Sequence, residues 1–246
     1  MLDLGWGLSW RGISARRQLS RLKDKYRDES CVILCNGPSL NEVDFYSLDR
    51  VKTIGLNKIN LLFERSSFRP TFIAVVNPYV IKQNMQFYIN TEIPVFAEKH
   101  ASRYGFGNGP SQYIFNGTGA GFSFDIAESI PQGHTVTYVA LQIAFYLGFT
   151  KVALVGCDHN FATKGPPNEA VAAVGDDPNH FDPKYFSDGD IWQLPDLFES
   201  EMAYRRARHV YETHGRLIVN CTEGGDLDIF DRVSLADFLA DARSSA

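Results

Sequence analysis

Several features common in other proteins are missing from this chain of 246 residues, and each absence removes a class of function. No apolar run approaches the roughly 18 residues that a membrane-crossing helix needs. The opening MLDLGWGLSWRGISARR lacks an apolar stretch followed by a small-residue cleavage site, so no secretory signal is expected. Cysteine is scarce: Cys31, Cys35, Cys157 and Cys221 are all there is, and none forms a C-x-x-C pair. Three of them sit in the apolar runs CVILC and LVGC, where a thiol behaves as a small buried hydrophobe. Neither a metal site nor a disulfide framework is expected, and reduced thiols suit a cytoplasmic protein. A G-x-S-x-G elbow and an H-E-x-x-H helix are also missing, which removes two hydrolase templates. What remains is an ordinary globular composition, 44% hydrophobic and 22% charged, which excludes disorder, collagen and coiled coil.

Charge is unevenly placed. Residues 1–27 carry seven basic side chains (Arg11, Arg16, Arg17, Arg21, Lys23, Lys25, Arg27) against Asp3 and Asp24. The remainder carries 17 basic and 27 acidic groups, and so acidic a body argues against nucleic-acid binding. Two units are expected: a basic helical leader over 1–27 and a single α/β domain over 28–246. The leader, with Leu4, Trp6, Leu8, Trp10 and Ile13 interleaved, suits either peripheral contact with the inner membrane face or packing on the body or on another copy in a homo-oligomer.

The body alternates apolar runs with helical patterns. Strands are expected at Cys31–Cys35, Thr53–Leu56, Phe72–Val76, Val95–Ala97, Val152–Gly156 and Leu217–Asn220, several of them continuous runs typical of strands buried on both faces. Helical spacing predicts helices over Thr135–Leu147, closed by Gly148, and over Asp196–Thr213, closed by Gly215. The alternation implies a Rossmann-like, doubly wound, mostly parallel sheet. A hairpin is expected in QYIFNGTGAGFSF, and 159–195, a polar loop with five prolines, is expected to be a lid beyond the carboxyl end of a strand.

The candidate chemistry lies at the strand ends. Asn36-Gly37-Pro38-Ser39 follows the run CVILC, and Ser39 with Glu42 has the spacing of a capping box at a helix start. A strand, a glycine turn and a helix N-terminus make an anion site, although this turn is neither a P-loop nor G-x-G-x-x-G. Asn36, Asn57 and Asn77 each end an apolar run, and an asparagine amide both donates and accepts, as sugar hydroxyls and base edges require. His159 follows Gly156-Cys157-Asp158 and is expected at the site rim, while His180 sits in the lid, where an imidazole suits a general base for a hydroxyl. His100 and His134 have no such context. Asp188-Gly-Asp190 and Asp226-Leu-Asp228 read D-x-D, but neither follows a buried strand on the binding side, so no metal is assigned to them.

The run VILCNGPSLNEVD resembles the opening of the bacterial CMP-sialic-acid-dependent sialyltransferases and the related domain of MptE-like 6-hydroxymethylpterin diphosphokinases. The likeness continues through TIGLNK, FIAVVNPYV and TVTYVALQIAFYLGFTKVALVGCDHNF to His180 in DPNHF. It implies a glycosyltransferase with a lid, using a CMP-linked donor and a surface-glycan or lipid-linked acceptor, inverting and without a metal cofactor. By the same resemblance Asn36, Gly37, Pro38, Ser39, Asn57, Asn77, Thr135, Thr137, Asp158, His159 and Asn160 form the donor site, and His180 is the base. The sialyltransferases have tyrosines where His159, Asn160 and Phe161 stand, and an arginine where Gly133-His134 stands. The MptE-like alternative implies a pterin diphosphokinase requiring ATP and Mg²⁺, with carboxylates such as Asp158, Asp176 and Asp177 carrying the metal. A nucleotide-binding module without turnover is the third reading.

Overall fold

The computed structural model describes residues 4–244. Two short helices, α1 (Leu4–Leu8) and α2 (Trp10–Ser20), come first. Strands β1 (Ser30–Leu34), β2 (Lys52–Leu56) and β3 (Phe72–Val75) follow, joined by short 3-10 turns. Helices α3 (Pro78–Gln83) and α4 (Met85–Asn90) lead to β4 (Val95–Glu98), and a further 3-10 turn, Lys99–Tyr104, to β5 (Gln112–Phe115). The long helix α5 (Val136–Leu147) then leads to β6 (Lys151–Val155). After an insertion holding β7 (Ala170–Ala172) and β8 (Ile191–Gln193) come α6 (Leu197–Thr213), β9 (Leu217–Asn220), β10 (Asp231–Arg232) and α7 (Leu235–Ser244).

Eight strands form one sheet in the order β10-β9-β6-β1-β2-β3-β4-β5, and every pairing in it is parallel. The strand alternation of β1 divides the core: Cys31, Ile33 and Cys35 face one layer, Val32 and Leu34 the other. On the first side lie α5, α6 and the end of α2; on the second lie α3, α4, α7 and the 3-10 turns. Helix α5 is buried from Thr137 to Leu147, which explains why its apolar pattern continues all the way round. Its one amide, Gln142, is fully satisfied there: Oε1 accepts from Ser123 N at 2.9 Å and Nε2 donates to Pro131 O at 2.8 Å. Gly148 ends the helix at φ +101°, as expected of a left-handed cap.

The chain winds outward from β1 to β5, then crosses back through α5 to lay β6 on the other side of β1. That reversal is a topological switch point, and it opens a crevice beyond the carboxyl ends of β1 and β6.

Three sequence expectations need correction. Ser39 and Glu42 build no capping box: Pro38–Glu42 is a single 3-10 turn, and the Ser39 hydroxyl goes to Asp158 instead. The expected hairpin after Gln112 does not form, because β5 pairs with β4 as a parallel edge strand and the Gly-rich stretch after it is irregular. The insertion 159–195 is not wholly loop, since β7 and β8 pair antiparallel within it. No helix among the described residues is long and apolar enough to cross a membrane.

Candidate functional site

The crevice at the switch point holds two adjoining cavities. The smaller, about 170 Å³, lies against the turn after β1, the turn after β6 and the first turn of α5. The larger, about 550 Å³, lies between the end of β3, the stretch before α5 and the inserted segment. Asn57, Thr135, Phe161 and His180 line both, so the two form one cleft with His180 at the junction.

The floor of the smaller cavity is a clamp between two strand ends. Asp158 Oδ2 accepts from the Ser39 hydroxyl at 2.7 Å and Oδ1 from Ser39 N at 3.3 Å. Gly37 fits between them only because it has no side chain: a Cβ there would overlap the Asp158 carboxylate and stand 2.8 Å from Gly156 O. Pro38 and Ser39 therefore lie behind the cavity wall and do not line it, whereas Gly37, Asp158 and Asn160 do. The three asparagines behave differently. Asn36 is 8% exposed, lines the smaller cavity, and its side-chain oxygen has no partner among the described residues. Asn57 lines both cavities from a left-handed backbone at φ +47°. Asn77 caps α3, its Oδ1 accepting from Tyr79 N at 2.9 Å, and its Nδ2 donates to Gln193 Oε1 at 3.3 Å.

Thr135 caps α5, accepting from Thr137 N at 3.3 Å, and its hydroxyl also meets the Tyr204 hydroxyl at 3.3 Å. Thr137 sits deeper, 3.6 Å from the Cys35 thiol. The first turn of a buried helix thus faces the cavity, presenting the positive end of its dipole. His134 and His159 flank it, each with positive φ (61° and 57°) and each beside a carboxylate from the α6 segment, Asp196 at 3.7 Å and Glu201 at 3.3 Å. His134, which has no distinguishing sequence context, is a cavity residue. His159 lies in the wall with its side chain 8% exposed rather than at the rim. Left-handed non-glycine residues are uncommon, and here four of them (Asn57, His134, His159 and Asn168) line one cleft.

His180 is the most constrained side chain of the cleft. Its Nδ1 lies 2.8 Å from Asp177 Oδ2, and its ring stacks on Tyr185 at 3.9 Å and 2°. The carboxylate holds the proton on Nδ1, which leaves Nε2 as the basic nitrogen. Asp177 was legible only as an acid three residues before the histidine. The aromatic wall of the larger cavity, Tyr185, Phe186 and Trp192, carried no sequence signal beyond its apolarity. Lys58 fastens this insertion to the body, donating to Tyr185 O at 2.7 Å and lying 3.7 Å from Asp190. Burial pulls the Lys58 ammonium below its usual pKa, against the opposing pull of Asp190. Asn41 Nδ2 donates to Phe181 O at 3.0 Å, Phe181 N to Asn36 O at 2.9 Å and Gln83 Nε2 to Ile191 O at 3.1 Å, further ties to the body.

The residues present do not make a cation cage. Asp158 is taken up by Ser39, Asp177 by His180, and Asp176 is exposed. Asp188 and Asp190 accept within the insertion, from Gly175 N and Ser187 N. Among the described residues no group of three or more His, Cys, Asp or Glu is placed to hold a metal ion.

Comparison with known proteins adds three findings. No curated protein matches the chain. Among solved structures, the MAf glycosyltransferase from Magnetospirillum magneticum AMB-1 is similar at 16% identity and a TM-score of 0.44. The match covers 97% of this chain and 43% of that one, so the chain spans less than half the length of that protein. The family model described as 6-hydroxymethylpterin diphosphokinase MptE-like matches residues 12–164, which run from α2 through the switch point and past Asp158; the chain belongs to this MptE-like family.

Proposed function

We propose that the protein is a nucleotide-dependent transferase: a glycosyltransferase that moves a sugar from a nucleotide-activated donor to a hydroxyl acceptor. The observation that carries this reading is the His180–Asp177 pair at the junction of the two cavities. A histidine held by a carboxylate on one nitrogen and open on the other is suited to take a proton from a hydroxyl. The donor's phosphate belongs in the smaller cavity, against the first turn of α5, with Asn36 and Asn57 offering amides to the nucleotide and sugar. The acceptor belongs in the larger one.

In the reaction the acceptor hydroxyl gives its proton to His180 Nε2 as its oxygen bonds to the anomeric carbon. The bond from that carbon to the phosphate oxygen breaks on the opposite face, which inverts the centre. Charge on the departing phosphate meets the helix dipole and the Thr135 hydroxyl, and charge on the imidazolium meets Asp177. By the resemblance set out above, the donor is CMP-linked and sialic-acid-like, and the acceptor is a surface glycan or a lipid-linked sugar.

The family match favours a second reading, a diphosphokinase acting on a pterin with ATP and Mg²⁺. Since the chain's carboxylates are not gathered for a cation, the metal would have to arrive on the nucleotide. Calorimetry with CMP, CDP, UDP, GDP and ATP, each with and without Mg²⁺, separates the two. Metal-independent CMP binding supports the glycosyltransferase, and binding of ATP only with Mg²⁺ overturns it in favour of the kinase. His180→Ala should lower kcat by about 10²–10⁴-fold while leaving donor affinity unchanged, and should also lower Tm, because the buried Asp177 carboxylate loses its partner and Tyr185 its stacked ring. An unaltered kcat removes His180 as base.

A further inference from the structure

The outer side of the amino-terminal helices has a surface chemistry of its own. Gly12, Ala15 and Leu19 turn α2 onto the body, which sends Trp10, Arg17 and Arg21 to the opposite side in one stripe. Trp10 is 87% exposed and Leu8, the last residue of α1, 80%, so both protrude rather than line a groove. Arg11 Nη1 donates to Ser102 O at 3.4 Å, which brings Arg103 and Tyr104 from a distant segment alongside. Between residues 4 and 23 there is no acidic side chain at all, and the first, Asp24, is paired with Arg27 at 3.1 Å. The body beneath is acidic, so the patch is a local concentration of positive charge and not a reflection of overall composition.

We infer that this patch docks the protein on an anionic lipid bilayer. Protruding Trp and Leu side chains enter the headgroup boundary, where an indole can keep its N–H wet and its ring apolar. The arginines around them meet lipid phosphates, and that attraction weakens with salt. A bilayer suits the pattern better than a protein partner does, because isolated, fully protruding apolar side chains among arginines need a soft and negatively charged surface. The inference is independent of the transferase reading.

Its test is co-sedimentation of the whole chain with vesicles of phosphatidylcholine alone and of phosphatidylcholine with phosphatidylglycerol. Binding to the anionic vesicles only, at least tenfold weaker in 0.5 M than in 0.1 M salt by screening, supports docking. The double substitution Leu8→Ser, Trp10→Ala and the triple substitution of Arg11, Arg17 and Arg21 to Gln should each weaken it at least tenfold, with Tm and nucleotide binding unchanged. Absence of binding to the anionic vesicles, equal binding to neutral ones, or wild-type binding by both variants would overturn it. So would self-association that Trp10→Ala abolishes in the absence of lipid, which would make a second copy the occupant.

Discussion

Asp177 fixes which nitrogen of His180 is basic, and two substitutions separate that role from a merely structural one. Asp177→Asn keeps an acceptor in place but removes the charge that balances an imidazolium. It should cost on the order of 10²-fold in kcat with little change in KM, read by steady-state kinetics beside a thermal melt. Asn36 makes the complementary case. Its buried side-chain oxygen has no partner, and a buried acceptor left unpaired costs about 1–3 kcal/mol. Asn36→Ala should therefore leave Tm unchanged or raise it, while weakening donor binding tenfold or more in calorimetry; a clear fall in Tm would make Asn36 a structural residue. Both positions were readable in the sequence, Asn36 from its place after an apolar run and His180 from the family resemblance. Asn77 was read the same way as Asn36 and lines the larger cavity, but its Oδ1 also caps α3 and its Nδ2 meets Gln193, a second use that sequence spacing does not reveal.

At the scale of elements, α5 and the inner strands were legible because burial on every side leaves a continuous apolar signature, and α6 because its buried residues recur on one face. Helix α5 begins at its Thr135 cap and ends at Gly148, as periodicity alone required. The first turn after β1 was not legible. Its serine has capping spacing, but a carboxylate 119 positions away offers the shorter bond, and sequence spacing carries no information about that partner. Edge strand β5 was read as a hairpin arm and β10 was missed for a related reason: four and two residues long, they are held by one neighbour each, too little to impose a pattern. The inserted segment is held by aromatic residues in the core and by polar ties, among them the buried Lys58. Lys58→Met removes a charge-assisted hydrogen bond of about 1.5–3 kcal/mol. Cleavage within 159–195 by a protease should quicken about tenfold or more, with the melting of the sheet domain scarcely moved; unchanged cleavage would mean that other contacts hold the segment.

For the molecule as a whole, the buried thiols and phenols set how stability responds to alkali. Burial raises Cys31 and Tyr211 well above their usual values of 9.0 and 10.0, and raises Cys221 to about 12. In the unfolded chain these groups lose protons earlier than in the fold, so stability is fully present below pH 9 and falls as pH rises from there towards 12. Each group that ionises only on unfolding contributes at most about 1.4 kcal/mol per pH unit. The urea midpoint should fall steadily above pH 9, and all four free cysteines should resist a thiol reagent until the protein unfolds. A flat profile would show that these groups are hydrated in the native state. The insertion between β6 and α6 has a different kind of consequence. It leaves the end of β6 beside the switch and returns into α6, and it is tied to the body from the turns after β1 and β2 and from α3. Its residues Phe181, Tyr185, Phe186 and Trp192 pack into the same core as Val75 and Val155, so it forms an integral wall of the fold. The larger cavity takes its aromatic wall from Tyr185, Phe186 and Trp192 of the insertion, so this stretch is a replaceable panel: under the proposed reading, exchanging 184–194 between relatives with Asp177 and His180 kept should shift acceptor preference and leave donor binding in place.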